Sequence, residues 1–193
     1  MKFSRWAVVL FFLCTALTLT AERRHSPAFR SAEIKIDHLV QNAHSERVDP
    51  APTVLTTAEI NAYMNEGGVT LPTGVHDVKF TTHPGTVDAT AQIDFDELTA
   101  GKTQNSPLMM LFTGRHDVVA SAQAYGKNGR GVVHVDSVAI DGVTVPRRLL
   151  EYFVDRYLKP RFGNNVGIDS NFALPERIDS ALVGENQVTL VQR

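Results

Sequence analysis

The chain has a single cysteine, Cys14. It lies inside an apolar stretch near the amino terminus that we interpret below as a leader. A chain that keeps no cysteine after its leader is removed cannot build a disulfide framework, so a disulfide-stapled secreted domain is excluded. The core must then hold the fold together. Roughly 170 residues beyond the leader are enough for one domain with a sizeable core.

The chain also lacks a large net charge of either sign. The formal net charge is −2, and losing Lys2 and Arg5 with the leader would change it from −2 to −4. No basic stripe runs along the sequence, which argues against a nucleic acid partner. Mild acidity also argues weakly against tight docking on an anionic membrane surface.

Catalytic motifs are missing as well. The sequence has no G-x-S-x-G elbow and no H-E-x-x-H pair. His76, His116 and His134 each lie near an aspartate, but solvated positions on a sheet face explain them more simply than ligands of a metal. We therefore predict no catalytic residue, no metal and no cofactor.

An acidic cluster provides the one pattern in the sequence that could make the protein an enzyme. Asp94, Asp96 and Glu97 resemble paired carboxylates for hydrolysis. The same residues also suit the start of a helix, where negative charge is favourable. We predict that they cap a helix. A hydrolase that uses this cluster or the histidines is one of three hypotheses for function; the other two are not enzymes.

What the amino terminus does contain is an export signal. Lys2 and Arg5 precede an almost unbroken apolar run, Trp6 to Leu19, which small residues at Thr20 and Ala21 follow. This layout is typical of a secretory signal peptide. We predict a leader at 1–21 and a single domain at 22–193. The location would be the periplasm or the extracellular space, with membrane association left open by the alternative of an uncleaved anchor.

Periodicity beyond the leader predicts an α+β fold. Thr56 and Glu59 match a capping box at the start of a short helix. Apolar residues at a spacing of about 3.6 predict a long amphipathic helix from Arg147 to Phe162, after a turn at Asp141–Gly142. The remaining elements are a first helix at 28–47, strands at 75–83, 86–95, 114–125 and 131–140, and a final hairpin of 173–183 with 187–192. We expect a curled antiparallel meander packed around the long helix.

Two strand patterns carry further information. In the strand at 131–140, Val133 and Val135 share one face while Val138 and Ile140 share the other. A β-bulge near Asp136–Ser137 would bring all four to one side. In the strand at 86–95, strict alternation predicts one buried face and one wet face.

Small residues mark the predicted inner face of the sheet. They leave volume that either a closely packed helix or an apolar guest must fill, and spacing alone leaves both alternatives open. The run at 108–112 could close one end of that space. The small residues are Ala89, Ala91, Ala120, Ala122 and Ala124.

Three segments carry a resemblance to a known family. They are T-T-A-E-I-N-A-Y (Thr56 to Tyr63), L-P-T-G-V-H-D-V-K-F (Leu71 to Phe80) and V-D-S-V-A-I-D-G-V-T-V-P (Val135 to Pro146). With the leader and the apolar helix, they resemble the exported bacterial LmeA-like and YpmS-like proteins, which are similar to the tubular lipid-binding superfamily. The resemblance implies a bent sheet that wraps a long helix and an apolar groove that holds lipid. It implies no catalytic residues.

We therefore expect an exported, non-catalytic protein of the bacterial envelope that binds lipid or another apolar small molecule. The alternative is a structural or assembly module of the envelope with a dry core and a protein partner. Arg147 and Arg148, near the start of the long helix, could meet a lipid headgroup. The predicted walls of the ligand site are Phe80, Ala91, Ile93, Phe95, Ala122, Leu150, Phe153 and Tyr157.

Overall fold

The computed structural model describes residues 25–101, 110, 112–162 and 167–193. The predicted leader lies outside these ranges, and so does most of the apolar run at 108–112. Within them the fold is mixed α+β, with few helices and one nine-stranded sheet whose pairings are antiparallel. The strands are β1 (Thr53–Thr56), β2 (Val75–His83), β3 (Thr86–Asp94), β4 (Arg115–Lys127), β5 (Arg130–Ile140), β6 (Val143–Thr144), β7 (Asp169–Ala173), β8 (Ile178–Gly184) and β9 (Gln187–Gln192). The helices are α1 (Pro27–Ala43), α2 (Thr57–Asn65), α3 (Phe95–Thr99), α4 (Arg147–Phe153) and α5 (Lys159–Phe162).

Strand β4 is where the parts of the sheet meet. The order is β1-β9-β8-β4-β3-β2, and β5 also pairs with β4 and carries β6 and β7. Strand β3 pairs with β4 as far as Gln123, and β8 then meets β4 where Gly126 lies opposite Ala181. A Cβ at Gly126 would come within 2.8 Å of the Ala181 Cβ, so glycine permits this close approach.

A β-bulge interrupts β5. Ser121 pairs with Ser137 while Ala122 pairs with Val135, which leaves Asp136 as the extra residue. The bulge predicted from the slip of apolar positions is therefore confirmed. It places Val135 on the same side as Val138 and Ile140, which all belong to or pack against one core cluster.

Helix α2 covers the free edge of β2. Its capping box is present as predicted, with Thr56 and Glu59 each bonding the other's backbone N–H. Farther along the helix, the Asn61 side chain donates to the Phe80 carbonyl at 2.9 Å and accepts from the Phe80 N–H at 2.7 Å. These bonds satisfy backbone groups that an exposed edge strand would leave open.

The carboxyl-terminal helical run, from Arg147 to Phe162, is not a single α-helix. A π-helical segment, Val154–Leu158, joins α4 to α5. Pro146 precedes α4 as its N-cap residue and does not occupy the first helical position. Leu150 and Phe153 are the buried residues of α4, as the predicted apolar stripe requires.

Two predictions about strands are wrong. The predicted strand at 173–183 is divided: β7 pairs with β5, whereas β8 pairs with β9. Pro175 and the positive φ angles of Glu176 and Arg177 separate β7 from β8. The predicted wet face of β3 is mostly half-buried, with only Thr90 exposed, because β3 lies between β2 and β4.

Candidate ligand-binding site

Three phenylalanines form a closed aromatic cluster where α3 and α4 meet. The Phe112 and Phe153 rings are stacked with centroids 4.1 Å apart, and the Phe95 ring meets both edge-on at 5.4 and 5.7 Å. None of the three is more than 4% exposed. Phe95, Phe112 and Phe153 are called the aromatic cluster below. It is packed as a core and not as an open slot.

Five of the predicted wall residues lie in this region. Phe95 and Phe153 belong to the aromatic cluster itself, and the Tyr157 ring is 5.7 Å from Phe153. Leu150 is buried in the same core, and Ile93 packs against it from β3. The structure therefore brings Ile93, Phe95, Leu150, Phe153 and Tyr157 together.

The other three predicted walls lie farther along the sheet. Phe80 pairs with Ala89, Ala91 pairs with Val118, and Ala122 pairs with both Val87 and Val135. Cross-strand partners point to the same side of a sheet, so all of these residues share the face that carries Val118 and Val135 toward the core. We call this surface the alanine face; it consists of Phe80, Val87, Ala89, Ala91, Ala120 and Ala122.

The alanine face is less well covered than the aromatic cluster. Every one of its residues is half-buried. By contrast Ile140, which lies on the same side of the sheet in β5, is only 1% exposed. The row from Phe80 through Ala89 and Ala120 leads across the sheet to Val138, which packs against the core. An apolar surface therefore continues from the closed core onto a half-covered floor of small side chains.

A pocket of about 220 Å³ opens beside the β-bulge, between β5, β6 and the start of α4. We call it the bulge pocket. Its floor consists of residues of the core cluster or packed against it: Val135, Val145, Leu150 and Ile168. Its rim is polar and consists of Asp136, Ser137, Thr144 and Arg147.

A network of charges crosses the outer side of the bulge pocket. The two carboxylate oxygens of Asp169 bind different partners, since one meets His134 Nδ1 and the other accepts from Arg147 Nη2. Arg147 also donates from Nε to Glu151 at 3.1 Å and from Nη1 to the Val135 carbonyl at 3.2 Å. The network ties β5, β7 and α4 together.

This network accounts for a cation at the start of a helix. A cation is unfavourable near the start of a helix unless an anion, such as a carboxylate or a lipid headgroup, lies close to it. The structure supplies carboxylates, those of Asp169 and Glu151. Arg148 is exposed and has no hydrogen-bond or ion-pair partner in the part of the chain that the structure describes.

The acidic cluster caps a helix. One Asp94 oxygen accepts from the backbone N–H groups of Asp96 and Glu97, both at 3.1 Å, at the start of α3. The capping explanation of Asp94 is confirmed. The carboxyl end of the same helix is bound by Arg161, which donates to the carbonyls of Glu97 and Leu98.

The three sheet histidines do not converge. His116 Nδ1 lies 2.6 Å from an Asp141 oxygen, and its Nε2 lies 2.8 Å from the Thr113 carbonyl. His134 instead meets Asp169, and His76 lies opposite Gln92 on β2. Among residues 25–101, 110, 112–162 and 167–193, no group of three or more metal-ligating side chains is placed to hold an ion.

The Asp141 hydrogen bond raises the pKa of His116, burial lowers it, and the Thr113 carbonyl raises it, with a net increase. Conversely, the pKa of Asp141 falls, first through its bond to His116 and then through the backbone N–H of Asp117.

Sequence reasoning missed several residues of the bulge pocket and its network. Thr144 is in a two-residue strand, and Asp169 is in β7, whose exposed, mostly polar sequence has no alternation. The only available signal was the slip in apolar register at Asp136–Ser137, which indicated a bulge but not the pocket beside it.

No helix of the described ranges is long and apolar enough to cross a membrane. No family model, curated protein or solved structure matches this chain.

Proposed function

We propose that this chain is an exported, non-catalytic protein of the bacterial envelope that binds lipid or another apolar small molecule. The observation that carries the proposal is the alanine face, a surface of six apolar side chains, four of them alanines, that stay half-buried beside a packed core. Covering such a surface with hydrocarbon is favourable, at roughly 0.8 kcal/mol for each CH₂ group removed from water.

The ligand would use the predicted walls unequally. Phe80, Ala91 and Ala122 belong to the half-buried floor, so a chain of CH₂ groups would lie against them. Phe95 and Phe153 are almost fully buried against other rings, so they would form the closed end of the site. Tyr157 and Leu150 would support that end from the helical run.

The finer architecture belongs to this proposal too. We infer a curled sheet around a long amphipathic helix, with the helical run from Arg147 to Phe162 as that helix and β8–β9 as a carboxyl-terminal hairpin. This is the arrangement that a resemblance to LmeA-like and YpmS-like proteins, and through them to the tubular lipid-binding superfamily, implies. Export would depend on the predicted leader at 1–21, and the mature protein would function in the periplasm or outside the cell.

The test fills the alanine face and leaves the core intact. Ala122→Phe adds a ring to the proposed floor, whereas Gln123→Phe adds the same ring to the exposed side of the same strand. We expect native mass spectrometry of gently purified protein to detect bound lipid in the wild type and in Gln123→Phe, but not in Ala122→Phe. Equal melting temperatures would show that all three are folded.

The second candidate is a structural or assembly module of the envelope with a dry core and a protein partner. The tight packing of the aromatic cluster favours it, because its three rings contact one another and are at most 4% exposed. In that case no lipid would be found with the wild type, and Ala122→Phe would behave like Gln123→Phe. That result would remove the lipid-binding proposal.

A further inference from the structure

The bulge pocket is apolar at its base and polar at its mouth. Leu150 and Ile168 are at most 9% exposed and form its base. Ser137 and Thr144 are exposed residues at its mouth, and their hydroxyls have no hydrogen-bond partner within the described residues. A site of this kind suits the junction between the polar head and the apolar tail of an amphiphile.

Its position connects it with the alanine face. Val135 lines the bulge pocket and is also the cross-strand partner of Ala122. A ligand whose tail lies on the alanine face can therefore place its head in the pocket without crossing the packed aromatic cluster. A volume of about 220 Å³ exceeds the ~150 Å³ cavity that holds a benzene ring, so a head of three to six heavy atoms fits.

The charges around the mouth of the bulge pocket determine which kind of headgroup can bind there. Arg147 pairs with the carboxylates of Glu151 and Asp169, and the carboxylate of Asp136 lies 3.7 Å from His134 Nε2. The Arg147 guanidinium already donates to Glu151, Asp169 and a carbonyl. A negatively charged head would find Arg147 already occupied and would meet the Asp136 carboxylate on the rim, whereas a hydrogen-bond donor would find acceptors in Asp136 and the two hydroxyls.

We propose that the bulge pocket binds the head of an amphiphile that carries no negative charge and donates hydrogen bonds, such as the glycerol group of a monoacylglycerol. This inference rests on the proposed function, because it assumes that the tail occupies the alanine face. It differs from the sequence-based expectation that Arg147 and Arg148 meet a lipid headgroup, because Arg147 is already bound by two carboxylates.

The experiment compares two probes with the same tail. Monododecanoylglycerol and dodecanoate have identical acyl chains, and only dodecanoate is anionic. We expect calorimetric titration of the wild type to give an affinity at least about tenfold higher for monododecanoylglycerol, because one contact between like charges is unfavourable even in water and more so near a protein surface. Asp136→Asn should narrow the ratio of the two affinities. Asp37→Asn, on the exposed side of α1, should leave that ratio unchanged.

A second pair of variants locates the head. Thr144→Trp would fill the bulge pocket from its rim, whereas Val143→Trp would place the same ring on the neighbouring residue, which is 57% exposed and not part of the pocket. We expect Thr144→Trp alone to weaken binding of monododecanoylglycerol at least tenfold, with both variants retaining the wild-type melting temperature.

The outcomes separate this inference from the proposed function. If neither probe binds, the proposed function fails and this inference fails with it. If both probes bind equally well, or if Thr144→Trp binds monododecanoylglycerol as the wild type does, the tail site survives and the head site proposed here is overturned.

Discussion

The two ends of the sheet both bury apolar side chains, but they differ in how many polar side chains they bury with them. At the polar end, where α1 and α2 meet β1, β2, β8 and β9, five buried side chains are polar or charged. At the other end, the aromatic cluster and its neighbours bury one polar side chain, Thr99, among the described residues. The buried polar residues of the polar end are Asn42, Thr57, Glu59, Thr82 and Gln192.

The polar end is held by directed bonds. Asn42 donates to the Gln192 side chain at 2.7 Å, and Gln192 in turn donates to the carbonyls of Leu39 and Glu176. Thr57 and Thr82 bond through their hydroxyls at 3.0 Å. A buried polar network that is fully satisfied fixes one arrangement, because any shift breaks bonds that water cannot replace.

The aromatic end is held mainly by apolar contacts. Its rings bury large surfaces against one another in stacked and edge-on arrangements. The comparison teaches that directed bonds fix the polar end, whereas the aromatic end depends on apolar packing; under the proposed function, the adjoining alanine face is the part that would meet a ligand. Each prediction below tests one part of that contrast.

The largest effect is expected at the aromatic cluster. Phe153→Ala removes a ring that contacts Phe95, Phe112 and Tyr157, and we expect the free energy of unfolding in urea to fall by about 3–5 kcal/mol. Tyr152→Ala, at a neighbouring position that is 50% exposed, should change it by no more than about 0.5 kcal/mol. A loss below about 1 kcal/mol for Phe153→Ala would mean that this end is loosely packed and would break the comparison.

A smaller effect is expected from the ion pair of the polar end. Lys35 Nζ lies 2.7 Å from a Glu59 oxygen, and the Glu59 side chain is only 9% exposed. Lys35→Met leaves that carboxylate without its cation, which should cost about 1–3 kcal/mol in chemical unfolding. Lys79→Met, on the exposed side of β2, is the matched control. If the two variants are equally stable, the buried carboxylate does not depend on Lys35.

The same carboxylate predicts an acid transition. Burial raises the pKa of Glu59, but hydrogen bonds from Lys35, Ser31 and Thr56 outweigh it and bring the pKa from 4.5 to about 2. A lowered pKa in the folded state adds stability that is present above pH 4.5 and is lost as the pH falls toward 2. Glu59→Gln should therefore flatten the decline in unfolding free energy between those two values, and an unchanged slope would contradict the assignment.

Much of the sheet could be predicted because its signals are local. The capping box at Thr56 needs only two residues three apart, and the bulge in β5 is visible as a slip of apolar positions within one strand. Both are confirmed. The turn at Asp141–Gly142 likewise depends on its own dipeptide, with φ angles of 49° and 78°.

The strands that the sequence did not predict depend on pairing partners far away in the chain. Strand β1 is four residues long and pairs with β9, and β7 is mostly exposed and pairs with β5. Neither has an apolar alternation of its own, because neither buries a full face. The charge network beside the bulge pocket was missed for the same reason, since Asp169 reaches Arg147 only through the pairing of β7 with β5.

The candidate site was predicted as one slot, and its residues lie in two environments. Spacing placed Phe153 and Tyr157 on one helical stripe and Ala91 and Ala122 on one strand face. Spacing within an element does not specify how far a helix extends over a sheet. The packing of α4 against Ile140 and Val145 at one end of the sheet is a tertiary property that no local pattern contains.

The smallest effect is expected at the rim of the aromatic cluster, where one ion pair resembles those of the polar end. Both ring nitrogens of His116 face acceptors, a carboxylate oxygen of Asp141 and the Thr113 carbonyl. Only the imidazolium can donate to both, so deprotonation must break one bond.

A raised pKa in the folded state adds stability that is fully present below about pH 6.5 and is lost as the pH rises through the folded value. Asp141→Asn should therefore lower the pKa of His116 measured by NMR titration, because the hydrogen bond to the Asp141 carboxylate is the main cause of the increase. It should also weaken the dependence of the melting temperature on pH above 6.5. Asp88→Asn, on the next strand and away from this ring, should change neither. If His116 titrates identically in the wild type and in Asp141→Asn, the aromatic end has no ion pair of the directed kind, and the contrast between the two ends becomes sharper.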